Sequence, residues 1–178
     1  MHLDLMRRKE KQFPSIPERE TMSGLRVWHC KYTTLSGIAE FTHLEELVIA
    51  GFPDKSFGML APLGKLRYLK VVDMPSVAGL GDLGDMASLE AVSLATSPSW
   101  DASGKVLTIA SLKPLAKLPR LRHLELFGVV PQDKSLAPLK DCKSLESLRV
   151  SKYPASEVEE FYASTGVVNR FNPPASFE

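Results

Sequence analysis

The chain has 178 residues with a formal net charge of +1, 44% hydrophobic and 24% charged residues. That is enough for one domain with a sizeable core, and it is ordinary soluble composition. A charge this near zero gives no electrostatic reason to expect nucleic acid or an anionic membrane as partner, and no apolar run approaches the length of a bilayer span.

Residues 1–23 lack any apolar period. "MRRKEK" is charged and "FPSIPE" reads as extended or turning, so this segment is expected to be partly disordered at its start and capping from about Phe13 onward. Its basic residues are followed by no apolar h-region, which makes the cytoplasm the expected location. Cys30 and Cys142 form neither a disulfide framework nor a metal-binding spacing, consistent with a reducing compartment.

From residue 24 to 155 one pattern recurs, apolar-x-x-apolar-x-apolar. It reads Leu25/Trp28/Cys30 in a looser first copy, then Leu44/Leu47/Ile49, Leu66/Leu69/Val71, Leu89/Val92/Leu94, Leu121/Leu124/Leu126 and Leu145/Leu148/Val150. Upstream of each anchor the apolar positions fall every third residue, as in Leu136, Leu139, Cys142 or Leu112, Leu115, Leu118. A period near three suits a 3₁₀ or short helical stretch with one buried face, and the period of two that follows suits a strand. Each unit is too small to bury its own apolar face, so the units must stack.

These residues, with "LAPL" and "LKPL" upstream, resemble a leucine-rich repeat of the short internalin-like bacterial form, over roughly residues 24 to 155. The resemblance implies an α/β fold: a right-handed solenoid of about six repeats with a parallel β-sheet on its concave face and 3₁₀ or short helical segments on its convex face. It also implies a binding module. The family's usual Asn or Cys ladder, three positions after the final apolar residue of each copy, is replaced here by Thr33, Phe52, Met74, Ser97, Val129 and Tyr153, so apolar stacking is expected in its place.

One step between anchors is far longer than the rest, and "TSPSWDASGKVLTIA" within it reads as a loop carrying Trp100. Trp100 either fills a gap at the solenoid edge or is exposed as a contact residue. After the last copy, residues 156–178 read as a capping helix and a tail. Ser156 and Glu159 have capping-box spacing, Val158, Phe161 and Tyr162 would fold back on the last strand, and Gly166 would end the helix. "NRFNPPASFE" then reads as irregular.

The outward residues of the strands fall into three columns. The first is Val27, Glu46, Tyr68, Ala91, His123, Ser147; the second His29, Val48, Lys70, Ser93, Glu125, Arg149; the third Lys31, Ala50, Val72, Ala95, Phe127, Ser151. Glu125 and Arg149 are expected to pair across adjacent strands. Ala50, Val72, Ala95 and Phe127 make a weakly apolar stripe rimmed by Tyr68, Lys70, His123 and Glu125, which is either a protein-binding patch or relief of crowding on a curved sheet.

Catalysis finds no support. His29 and His123 would stand about 19 Å apart, too far to share a zinc ion. His123, Glu125 and Ser93 resemble parts of a triad, but nothing supplies an oxyanion hole. No phosphate-loop, dinucleotide or zinc-protease motif occurs. The expectation is a non-enzymatic protein-binding module without cofactor, nucleic acid or membrane partner, holding a protein through Tyr68, Lys70, Val72, Trp100, His123, Glu125 and Phe127. An immunity- or inhibitor-like role is a specific form of this. The alternatives are a self-assembling structural unit, with weak self-association through terminal repeats, and a secreted effector acting by binding.

Overall fold

A computed structural model of the chain describes residues 1–177. Seven strands form one parallel sheet: β1 His2–Met6, β2 Gly24–Trp28, β3 Glu46–Ala50, β4 Tyr68–Val72, β5 Ala91–Ala95, β7 His123–Phe127 and β9 Ser147–Ser151. They lie side by side in chain order, because each repeat stacks on the one before it. The pattern explains the register. Leu47, Leu69, Val92, Leu124 and Leu148 are mutual partners across the sheet, and all are fully buried on its inner face.

Behind the sheet run the convex segments. The 3₁₀ turns Ser36–Glu40, Gly58–Leu60, Gly81–Asp85 and Ala137–Asp141, with the helix α2 Lys113–Ala116, send Ile38, Leu60, Leu83, Leu139 and Leu115 inward. These meet the strand leucines in a single core running the length of the stack. Two of the turns are capped from the following repeat: Asp54 accepts from the Leu35 amide at 2.8 Å, and Glu157 from the Leu136 amide at 2.6 Å. A carboxylate at the amino end of a turn satisfies donors that the turn itself leaves open.

Five features differ from the sequence reading. The first copy is Met22/Leu25/Val27, three residues earlier than expected, since Leu25 pairs with Leu47 and Val27 with Ile49. Its outward residues are therefore Gly24, Arg26 and Trp28, not Val27, His29 and Lys31. His29 instead occupies the turn after β2 with φ of 50°, one of a series of left-handed residues (Arg7, His29, Gly51, Asp73, Gly128, Lys152) that follow the strands.

The start of the chain, expected to be mobile, is the edge strand β1. Leu3 and Leu5 pair with Leu25 and Val27, because "HLDLM" carries the same alternation as every other strand.

The long step is built rather than loose. Helix α1 Pro98–Ser103 is capped by Ser97, whose side chain accepts from the Trp100 amide, and ends at Gly104 with φ of 76°. Strand β6 Leu107–Ile109 then pairs with β8 Val129–Pro131 in a second, two-stranded sheet.

The corrected register also moves the ladder. Cys30, not Thr33, now takes the first ladder position, with its Sγ 3.2 Å from the Leu5 carbonyl. Phe52, Met74 and Val129 are buried as expected of apolar stacking, and Tyr153 donates to the Val129 carbonyl at 2.9 Å. Burial drives the Tyr153 hydroxyl pKa well above its ordinary value.

Helix α3 Ala155–Thr165 caps the last repeat. It begins after Pro154 rather than at Ser156, Phe161 enters the core, and Tyr162 donates to the Leu148 carbonyl at 2.5 Å. Gly166 ends it in the left-handed conformation.

Candidate functional site: the concave face and its covering segment

With the register fixed, the outer face of the sheet carries three columns of seven residues. The first is His2, Gly24, Glu46, Tyr68, Ala91, His123, Ser147. The second runs Asp4, Arg26, Val48, Lys70, Ser93, Glu125, Arg149, and the third Met6, Trp28, Ala50, Val72, Ala95, Phe127, Ser151.

After α3 the chain turns back across this face. Val168 bridges to Ser147 beside β9, and its amide and carbonyl bond Glu146 and Leu148. The Arg149 guanidinium lies 3.4 Å from the Phe171 ring centre and 5.6 Å from that of Phe127, a stacked arrangement typical of arginine. The Asn172 amide donates to Glu125 Oε1 at 3.0 Å, and its side chain donates to the Val92 carbonyl at 3.0 Å. Ala175, 1% exposed, packs with Val48, Tyr68 and Ala91. The Ser176 amide and hydroxyl both donate to Glu46 Oε2, at 2.8 and 2.6 Å. Phe177 stacks on His2 and meets Gly24, where a Cβ would stand 2.7 Å from its ring.

The segment thus crosses the sheet from β9 to β1. Six interstrand spacings make about 29 Å, and nine residues in extended polyproline-like conformation reach about 28 Å. Pro173 and Pro174 favour that conformation.

The expected site residues divide under this cover. Tyr68 and Glu125 are buried, at 7% and 8% exposed, and His123 is half-buried with its Nδ1 2.8 Å from Ser147 Oγ. Glu125 does not form the ion pair expected with Arg149; it accepts from Ser93 Oγ at 3.0 Å and from Asn172. Lys70 stands half-buried between Val48 and Ser93 in the second column.

Val72 and Phe127 belong to the third column and are half-buried there, as is Trp28, which packs on the cluster around Ala175, while Ala50 is buried. Trp100 sits at the carboxyl ends of β4 and β5, against Asp73, Thr96 and Leu107, half-buried on the core. The sequence reading missed Met6 and Trp28 as members of this column, Met6 being 46% exposed.

Burial lowers the His123 pKa from its ordinary 6.5, and the nearby Glu146 carboxylate offsets only part of that. The folded state therefore binds this proton less readily than the unfolded chain. The resulting stability is fully present above about pH 6.5 and is lost as pH falls through the folded value. Urea unfolding at pH 7.5 and 5 should show that loss, and His123→Gln should remove the part of the pH dependence that His123 carries.

Parallel strands in chain order, convex 3₁₀ turns and one continuous leucine core define a leucine-rich-repeat solenoid. No family model matches the chain, and no curated protein matches it. Two internalins are among the solved structures that resemble it. An internalin (inlF) from Listeria monocytogenes superposes with a TM-score of 0.55 at 19% identity, over 79% of this chain and 44% of that one. Internalin C2 (inlC2) from the same organism gives 0.51 at 16% identity, over 73% of this chain and 62% of that one. The chain therefore spans less than two thirds of either neighbour, and the likeness is one of fold. Among the described residues no helix is long and apolar enough to cross a membrane, and no cluster of three metal-ligating side chains occurs.

Proposed function

We propose that this solenoid is a non-catalytic protein-binding module whose contact surface is the third column of its concave face. The observation that carries the reading is the contrast between the columns. The chain lays its residues 171–177 over Glu46, Val48, Tyr68, Ala91 and Glu125 of the first two, while in the third Met6 is exposed, Trp28, Val72, Ala95 and Phe127 are half-buried, and Ala50 between them is buried. An apolar row with Lys70 and Arg149 beside it has the make-up of an interface core and its polar rim. The stacked core holds the row in place before contact, so little ordering entropy is lost on binding.

A blocking role of the immunity or inhibitor kind, in a bacterial cytoplasm, is the specific form we favour. The internalin-like fold supports a protein partner. Phe127→Asp should abolish capture of that partner with the circular dichroism and melting of the chain unchanged, and undiminished capture would contradict the third-column assignment.

Self-association is the second reading, favoured by the open end of the stack. There Leu3, Leu5, Phe13, Ile16 and Tyr32 line a cleft of about 500 Å³ beside the edge strand β1. A concentration-dependent mass in sedimentation would favour it.

A further inference from the structure

We propose that the track beneath residues 171–177 is an exchangeable peptide site, occupied in this structure by the chain's own segment. Its ligand class is an extended peptide with two consecutive prolines, a small residue after them and an aromatic ring at either end. This deepens the binding-module reading and rests on it.

Among the described residues the main core contains none beyond Val167, so the stack closes its interior without the segment. The segment is held as a bound peptide is held. Main-chain amides of Asn172 and Ser176 donate to the Glu125 and Glu46 carboxylates, groups any extended peptide can engage. Between them Ala175 packs on Val48, Tyr68 and Ala91, and Pro173 and Pro174 border a cleft of about 200 Å³ together with Tyr68, Ala91 and His123. Phe171 on Arg149 and Phe177 on His2 close the two ends.

The fit is imperfect. Among the described residues the buried side-chain polar atoms without a hydrogen-bond partner are Asn172 Oδ1 and Arg149 Nη1, both in this contact, and Phe171 is 71% exposed. A competing segment that accepted a hydrogen bond from Arg149 Nη1 and buried no unpaired oxygen in place of Asn172 Oδ1 would displace the resident one.

The test uses a fluorescein-labelled peptide, Asn-Arg-Phe-Asn-Pro-Pro-Ala-Ser-Phe-Glu, followed by anisotropy. It should bind the full chain carrying Phe171→Ala, Asn172→Ala and Ser176→Ala at least about tenfold tighter than the unmodified chain, whose track is filled. Adding Glu46→Gln and Glu125→Gln should weaken that binding by about tenfold. No binding to the folded triple variant, or equal binding to both chains, would overturn the proposal. A dimer exchanging this segment between copies would also overturn it, by making a second copy the occupant.

A second measurement needs no substitution. In the unmodified chain the Asn172 and Ser176 amides should exchange hydrogen at least about a hundredfold faster than those of Leu124 and Leu126, through local opening. Equal protection would make the segment an integral part of the fold. Neither readout requires the protein partner. Undiminished partner capture by Phe127→Asp with peptide binding intact would therefore count against the third column and not against the track.

Discussion

Leu124→Ala should lower the stability of the chain by about 2–5 kcal/mol in urea unfolding. Leu124, the second residue of β7, is fully buried between Val92 and Leu148 on the strands either side. A solenoid has no alternative core, so a cavity in one repeat weakens its packing against both neighbours. The cost should be near the top of that range if the long repeat, with its helix α1 and the β6–β8 pair, holds the surrounding backbone too rigidly to collapse onto the cavity. A loss below 1 kcal/mol would mean that this repeat does not bear on the common core.

Gly128→Ala should be nearly as damaging, and Gly51→Ala much less so. Both glycines follow a strand with positive φ, 68° and 84° respectively, so an alanine at either pays about 1–2 kcal/mol for the left-handed conformation. At Gly51 nothing stands within 4 Å of the new Cβ. At Gly128 the Cβ would lie 2.6 Å from Thr96 Oγ1, and Thr96 is itself buried. Relieving that overlap must turn the Thr96 side chain or shift the backbone just past β5 and β7, adding about 1–3 kcal/mol. The difference between the two melting curves separates backbone strain from crowding. Equal losses would show that Thr96 yields freely.

From the third strand onward the repeat was legible because each copy of the pattern is enforced by the same core. Leu47, Leu69, Val92, Leu124 and Leu148 could not be shifted without turning leucines to solvent, and the columns read from them stand. The first copy slipped for a physical reason. Leu25/Trp28/Cys30 and Met22/Leu25/Val27 satisfy the same apolar pattern, and the choice between them is made by pairing with Leu47 and Leu3, not by local composition. The spacing held a clue, since Met22 stands 22 residues before Leu44, as Leu44 does before Leu66.

Helix α1 was also written plainly, with Ser97 as cap, Pro98 in the first turn and Gly104 at the end. Proline, serine and glycine at that density instead drew the eye to a loop. The seat of residues 171–177 had no local signal at all. Its contacts reach back 47, 80 and 130 residues, onto a surface that exists only after the strands have stacked. Glu46, Tyr68, His123 and Glu125 were read correctly as outward residues; what lies on them could not be read from their own repeats.

The central claim is that the third column meets the partner. A photo-crosslinking phenylalanine analogue in place of Phe127, irradiated in the native cells, tests it most directly, with the same group at the exposed convex Lys117 as the control. The account predicts one stoichiometric adduct from position 127 and none from 117. An adduct from 117 alone, or from neither position, would contradict it.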